Sequence, residues 1–519
     1  MAMPPTILSK SLYMKGMQCP KYLWIVCHEK ERIPPYDEST MHLFNQGKLI
    51  GDLARTLFPG GAEIKADYWD YAASNNRSVE ALELRKPLFE AGFVASTEPD
   101  DNTSDYMNTA GIYSRADILM PVGTDEDNEW DIIEVKSGTS VKDENVQDVA
   151  FQKHCYITAG LKIRKCFLLH VNNEYVRKGK IDVKKLFVKE DITEKVSDAI
   201  LGIEDRIAFM LKVISGRKCP GPDLGIKIGP MCDHPYECPL KDYCWEKMPL
   251  TSVFNLHRIG IKAFELYESG VMNIENIPSN YELNEKQLIQ HKCAKSGKPC
   301  IHKEKIKEFL KTLKYPLYFM DFETYSTAIP LYNGLKPYQN IPFQFSVHVQ
   351  EKENGELKHY SFIAEGSSDP RKKFIEELKK VLGTEGSIIV YFQSFEKGRL
   401  EELGKIFPKH RKWVKSVIKR IVDLFVPFKN FYYYDSRQHG SASLKEVLPT
   451  LTGKSYEGMG IAEGNMASLS YLYITHGSID GKKATSDETK KIRHDLEEYC
   501  GLDTEGMVWI VKKLRELTT

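Results

Sequence analysis

Two stretches of this 519-residue chain carry the spacing that metal-assisted chemistry uses. In YFMDFET, Asp321 and Glu323 flank Phe322 at the end of the apolar run PLYFM. Side chains on a strand alternate, so both carboxylates share one side and Phe322 takes the other. Adjacent carboxylates repel, and divalent cations relieve the repulsion; phosphodiester hydrolysis uses two ions about 3.5–4 Å apart to activate water and stabilise the leaving oxygen. In WDIIEVKSG, Glu134 and Lys136 likewise share a strand face, with Asp117 upstream in SRADILM. This D…ExK pattern sets a cation beside two hard oxygen ligands suited to Mg2+ or Mn2+, where the lysine can stabilise a hydroxide nucleophile or developing phosphate charge. Either pair alone also describes an ordinary exposed strand, so the company each keeps decides its meaning.

Both pairs have company. FQKHCYITAG places Gln152 and Tyr156 four apart, on one face of a helix. HDLEEYCGLDTEGM does the same with Tyr499 and Asp503, and IIVYFQSFEKGRLEEL brings Gln393, Phe395, Glu396 and Leu400 behind an apolar strand-like run. Asp423 in RIVDLF is a rival fourth acid, with a strand-end or helix-start role as its alternative, and Lys445 is a candidate to face the same site. Cys232, Cys238 and Cys244 recur with five residues between neighbours, and Cys19 lies far upstream in QCPKYLW. Three close thiols and one remote thiol complete a four-cysteine site if the chain ends meet, and their spacing does not separate zinc from iron–sulfur. Cys27, Cys155, Cys166, Cys219, Cys293, Cys300 and Cys500 read as core or incidental, with Cys219 the reserve ligand.

The elements that must position these groups read as α/β. Strand-like and helix-like runs alternate, and the organisation changes near residues 250 and 300, which predicts a first domain over 1–250, short hairpinned helices over 251–302 and a second domain over 303–519. In the last of these, KEKIKEFLKTL is an amphipathic helix leading into the strand PLYFMDFET. Hydrophobic residues at 42% and charged residues at 28% are ordinary for globular domains, and no run reaches the length of a membrane span. The N-terminus lacks the layout of a secretion signal, so the expected compartment is the cytoplasm, where cysteines serve as reactive, metal-bound or core residues rather than as a disulfide framework. Lysine plus arginine balances aspartate plus glutamate at 72 each, so polyanion binding must come from local patches. PKHRKWVKSVIKR, with Trp413 among its cations, is either a nucleic-acid contact or a solvated helix face, and NFYYYDSRQHGSAS reads as an edge strand and turn, with base stacking as the alternative.

In their order, Asp117, Glu134, Lys136, Gln152 and Tyr156 resemble the PD-(D/E)XK nucleases of the RecB type, including the CRISPR-associated RecB-like exonucleases. That resemblance implies a restriction-endonuclease-like fold, metal-dependent cleavage of DNA with Asp117 and Glu134 as metal ligands, and a [4Fe-4S] cluster on Cys19, Cys232, Cys238 and Cys244. Relatives carry a histidine on an early helix, where this sequence has Gly51; His42 stands too early. Asp321, Glu323, Glu396, Tyr499 and Asp503 are similar to the motifs of DnaQ-like 3′–5′ exonucleases of the DEDDy subgroup. That implies an RNase H-like mixed-sheet domain in which Asp321, Glu323, Glu396 and Asp503 hold two metal ions and Tyr499 orients the attacking water. Gln393 and Glu396 depart from the asparagine and aspartate of that pattern, which shifts one ligand by about 1.5 Å. The whole chain looks like a prokaryotic family fusing these two domains, and phage defence or DNA repair follows by analogy. The expectation is a DNA-cutting enzyme; trimming of RNA or RNA–DNA hybrids and a nucleic-acid scaffold with degenerate sites are the competing readings.

Overall fold

The computed structural model describes residues 7–97, 110–124, 127–221, 227–478 and 481–519. The chain divides into two compact units. The first comprises Met1–Glu246 with Thr327–Tyr338, and the second Lys247–Ser326 with Gln339–Thr519. The expected boundary near 250 therefore falls at 246, the 251–302 segment is part of the second unit, and twelve residues from the expected C-terminal domain pack with the first.

Seven strands build the first unit: β1 (Ile7–Ser9), β2 (Ala62–Glu63), β3 (Leu88–Ser96), β4 (Gly111–Val122), β5 (Glu129–Lys136), β6 (Lys162–Val171) and β7 (Phe187–Asp191). Their order is β2-β3-β4-β5-β6-β7, with β1 also paired to β4. β4 is antiparallel to β3 and β5 and parallel to β1, whereas β5 and β6 run parallel. The helix Asp143–Thr158 connects that parallel pair, as a parallel crossover requires. It is buried along most of its length because one face packs on the sheet, with Val149, Phe151 and Cys155 in the same core as Trp130, Ile132 and Leu168. The helix Glu38–Arg55 contributes Ile50 and Ala54 to a second core with Ile118, Ile133, Leu169 and Ala328. Residues 327–338 are tied down through Arg177, whose Nη1 donates to the carbonyls of Pro330 and Leu331 at 2.8 and 2.6 Å.

The second unit holds β8 (Cys300–Ile301), β9 (Leu317–Tyr325), β10 (Ile341–Gln350), β11 (Leu357–Ile363), β12 (Ser387–Val390), β13 (Ile421–Asp423) and β14 (Tyr433–Tyr434). The main sheet runs β11-β10-β9-β12-β13; β10 is antiparallel to β9 and β11, while β12 is parallel to β9 and β13. Tyr318, Met320 and Phe322 of β9 enter one core with Phe374 and Leu378. The opposite face is covered by the helix Ser486–Thr518, which buries Leu496, Tyr499, Cys500, Asp503, Met507 and Ile510 at the three-and-four spacing of a helix stripe. β14 pairs with β8 as a short two-stranded sheet, matching the edge-strand reading of the aromatic cluster. The 251–302 segment forms short helices around Val253, Leu256, Leu266, Ile274 and Ile277. Cys293 and Cys300, expected as core or incidental thiols, are joined in a disulfide that links the helix Glu285–Ser296 to β8.

Gly51 lies inside the helix Glu38–Arg55, and a Cβ added there meets no atom within 4 Å. Glycine inside a helix costs about 0.5–1 kcal/mol relative to alanine. Gly51→Ala should therefore stabilise the unfolding transition of this unit by about that amount, read as an increased midpoint in denaturant unfolding.

Candidate functional sites

The first site forms where β4 parts from its neighbours. The β4–β5 ladder runs from Val122↔Glu129 to Ile118↔Ile133 and stops there. At the next position the Asp117 side chain replaces a backbone partner, with Oδ2 accepting from the Val135 N–H at 2.7 Å. On the other edge of β4 the pairing is interrupted opposite Asp117 by Glu90, which takes φ +59° inside β3. A left-handed non-glycine residue within a strand is costly and persists only when its surroundings hold it. Here Arg55 and Arg115 grip the Glu90 carboxylate at 2.5 and 2.8 Å. The parted strands open onto a cavity of about 970 Å3 whose lining includes Asp117, Glu134 and Lys136 together with Lys48, Arg55, Lys65, Arg77 and Arg115.

Behind Asp117 lies a network of buried acids and half-buried lysines. Lys136 Nζ contacts Glu134 Oε1 and Asp148 Oδ2, both at 2.7 Å. Lys10 Nζ contacts the same two carboxylates at 2.9 and 3.1 Å. Gln152 Nε2 donates to Glu134 Oε2 at 2.8 Å and to Asp148 Oδ1 at 3.0 Å, leaving its Oε1 buried without a partner. Burial works against every charge here. Even so, the lysines hold Asp148 well below the usual carboxylate range, and the carboxylates hold Lys136 well above its ordinary value. Asp117 goes the other way: burial and the Glu134 charge push it up to about 7.

The structure thus brings together Asp117, Glu134, Lys136 and Gln152 as the spacing predicts. Tyr156 is different. Its hydroxyl accepts from the Ala116 N–H at 2.8 Å and donates to the Ala91 carbonyl at 2.5 Å, so it pins β3 to β4 rather than reaching the acids. Sequence reasoning missed Lys10 and Asp148. Asp148 precedes Gln152 by one helical turn and was legible from the same face argument; Lys10 left no local signal. Gly51 lines the cavity, as the early-helix comparison places it.

The second site assembles on β9. Asp321 and Glu323 lie beyond the point where β12 stops pairing, since Phe319↔Ile389 is the last pair. One carboxylate oxygen from each and the Cys500 Sγ lie within 4.8 Å of one another, the one such gathering of His, Cys, Asp or Glu ligand atoms among the described residues. Glu396, in the first turn of the helix Ser394–Ile406, is 1% exposed, and its Oε2 has no hydrogen-bond partner. Asp503 accepts from the Tyr456 hydroxyl at 2.5 Å. Burial pushes Asp503 up to about 6 and raises Asp321, Glu323 and Glu396 well above the usual range, with Asp321 reinforcing the shift at both glutamates. Lys445 opposes the shifts at Glu323 and Asp503. Burial and the Asp503 charge keep the Tyr499 phenol protonated.

Hard oxygen donors with an unpartnered buried carboxylate oxygen fit Mg2+ or Mn2+ in kind. Asp423 instead accepts from the Phe392 and Phe425 N–H groups at 2.9 and 3.1 Å, the strand-end role that competed with ligation. Gln393 begins the helix Ser394–Ile406, with its side chain bound to Lys397. The basic run forms the helix Arg411–Arg420. Trp413 packs against the core and Arg420 caps the Gly383 and Gly386 carbonyls, so neither is presented for a base or phosphate. Tyr456 and Cys500 are the residues the sequence did not single out.

The four expected cluster cysteines come together from distant segments. Cys19 precedes the helix Pro20–His28, Cys232 and Cys238 are linked by a 2.8 Å backbone hydrogen bond, and Cys244 lies in the helix Lys241–Trp245. Burial raises Cys19 and Cys238; Cys232 and Cys244 add to the shift at both, and Cys19 adds to that at Cys238.

A family model described as a domain of unknown function (DUF2779) matches residues 318–443, a span containing Asp321, Glu323 and Glu396. The chain is 26% identical over 234 residues to the uncharacterized protein MG366 of Mycoplasma genitalium, covering 41% of this chain and 34% of that protein. It is 25% identical over 235 residues to the MG366 homolog of Mycoplasma pneumoniae, and 26% identical over 238 residues to the uncharacterized protein UU173 of Ureaplasma parvum, with the same shares. The matched part is about a third of the length of these relatives. No helix among the described residues is long and apolar enough to cross a membrane.

Two outcomes test the first site. Tyr156→Phe should cost about 1–3 kcal/mol of stability through its two lost buried bonds while leaving divalent-ion affinity unchanged in calorimetry. Asp117, raised from its ordinary value, favours its protonated form in the fold, an advantage present in full below about pH 4 and lost as pH rises through about 7. Divalent-ion affinity at this site should therefore fall as pH drops from 8 to 6, by up to about tenfold per unit, with a proton released on binding at the lower pH.

Proposed function

We propose that the chain is a metal-dependent nuclease that hydrolyses DNA phosphodiester bonds at ends or in single strands, with a RecB-like PD-(D/E)XK domain followed by an RNase H-like exonuclease domain of the DEDDy kind. The observation that carries this reading is the acid group of the second unit, in which half-buried Asp321 stands with buried Glu323, Glu396 and Asp503. Asp321 and Glu323 gather within 4.8 Å of a third ligand atom, and Glu396 Oε2 beside them lacks a partner. Carboxylates so buried are stable only if protonated or bound to cations.

The finer fold assignment rests on topology. A sheet ordered third-second-first-fourth-fifth in its own strands, with the second strand antiparallel and the fourth and fifth parallel to the first, supports the RNase H-like reading. A β5–helix–β6 crossover beside the D…ExK acids supports the other.

Divalent ions held by Asp321, Glu323, Glu396 and Asp503, and by Asp117 with Glu134, would supply a nucleophilic water and Lewis-acid stabilisation. The chain's own groups do the rest. Tyr499 stays protonated and can hold the attacking water by hydrogen bonding. Tyr456 fixes the Asp503 carboxylate so that it does not swing away. Lys136, held charged between Glu134 and Asp148, faces the cavity where negative charge would develop on phosphate. Lys48, Lys65 and Arg77 line that cavity as groups able to neutralise a backbone, while Arg55 and Arg115 are engaged by Glu90.

The four thiols fit a [4Fe-4S] cluster that clasps the start of the first unit to residues 232–244. An absorbance shoulder in the visible after anaerobic purification supports the cluster, and a preparation containing zinc alone refutes it.

Lys136→Ala should silence the first activity and Asp321→Ala the second, each by about a hundredfold or more, in a degradation assay with Mg2+ or Mn2+. If both single variants cut like the parent, these sites are wrong.

A further inference from the structure

Hydrolysis by carboxylate-held ions needs no sulfur, yet the second site contains one. Cys500 is fully buried, and its Sγ lies 3.7 Å from Asp321 Oδ2 and 3.9 Å from the Asp321 carbonyl oxygen. With one oxygen each from Asp321 and Glu323 it completes a group spanning no more than 4.8 Å. Around a tetrahedral ion with metal–sulfur bonds of about 2.3 Å and metal–oxygen bonds of about 2.0–2.2 Å, sulfur and oxygen ligands stand about 3.6 Å apart, close to the 3.7 Å between Cys500 Sγ and Asp321 Oδ2. Asp503, the acid expected in that place, has an oxygen engaged by Tyr456 and is not in the group. The nearest ligand set is therefore two carboxylates and a thiol.

Two features separate this thiol from an incidental core cysteine. It sits on the face of the helix Ser486–Thr518 that also supplies Tyr499 and Asp503, so the register that brings those residues to β9 brings position 500 with them. Independently, Glu396 Oε2 is buried in the same acid group with no partner, a polar atom that a bound cation would satisfy.

We propose that Cys500 is a sulfur ligand of the second site and biases it toward transition-metal ions such as Co2+ or Zn2+ over Mg2+, a hard ion that thiolates bind poorly. The inference rests on reading Asp321 and Glu323 as metal ligands. On binding, the S–H bond breaks, the proton leaves to solvent, and its electron pair forms the metal–sulfur bond; nothing is oxidised or reduced.

The test titrates the full-length parent, Cys500→Ser, Cys500→Ala and Asp321→Ala with Co2+ and with Mg2+, following near-ultraviolet absorbance and calorimetric affinity. Contributions from the other cysteines are common to all four proteins and cancel in difference spectra. The parent should show a sulfur-to-cobalt charge-transfer band that both Cys500 variants lack. Their Co2+ affinity should fall about tenfold or more with Mg2+ affinity nearly unchanged. Cys500→Ala gives the answer if the serine hydroxyl ligates in place of sulfur or is not accommodated. If Asp321→Ala loses an ion while the Cys500 variants match the parent in band and affinity, the site binds metal without sulfur and this inference alone fails. If Asp321→Ala binds as many ions as the parent, the metal-site reading fails and takes the inference with it.

Discussion

Carboxylates buried within a few ångströms of each other cannot all remain ionised without a counter-charge, because the low-dielectric interior strengthens their repulsion and removes the water that would screen it. Both sites are arranged around that constraint and meet it differently. Glu134 and Asp148 are neutralised from within by Lys10 and Lys136, each of which touches both acids. Asp117 stands outside those contacts, and its carboxyl is pushed upward. In the second unit Lys445 opposes the shift at Glu323 and Asp503 and Arg399 that at Glu396, yet Asp321, Glu323, Glu396 and Asp503 are all raised. One network is internally satisfied with an open edge at the cavity; the other awaits a proton or a cation.

The surrounding architecture holds these groups where they are. In the first unit a ladder ends early, a side chain takes over a backbone bond at Val135, and Glu90 accepts a left-handed backbone under the grip of two arginines. In the second, one long helix lays Tyr499, Cys500 and Asp503 against β9 in a single stripe. The cost of parting strands and burying acids is offset by large apolar cores, with Phe322 and Phe374 on the far face of the strand that carries the second site and Trp130 and Phe151 beside the first site in the core of its unit.

Much of this was legible from period alone. Alternation placed Asp321 with Glu323 and Glu134 with Lys136, and four-residue spacing placed Tyr499 with Asp503 on one helix face. The same logic put Tyr156 beside Gln152 but could not say that its hydroxyl turns to the backbone of β3 and β4, because that depends on where the sheet lies. Lys10, Tyr456 and Glu90 were invisible for a related reason: each reaches its site from a distant segment, and nothing local marks it. Trp413 stayed ambiguous in the sequence because an aromatic among cations looks the same whether it packs on a core, as here, or stands in water. The Cys293–Cys300 bond was missed because the absence of a secretion signal was taken to speak for every cysteine.

The central claim is that these acids hold cations that cut phosphodiester bonds. The most direct measurement is degradation of end-labelled single- and double-stranded DNA and RNA by the full-length protein, with Mg2+ or Mn2+ and with chelator, alongside a variant carrying both Lys136→Ala and Asp321→Ala. The account predicts cleavage of DNA that requires the divalent ion and disappears in the double variant. Failure to cleave any of these substrates with either metal, or cleavage undiminished in the double variant, would contradict it.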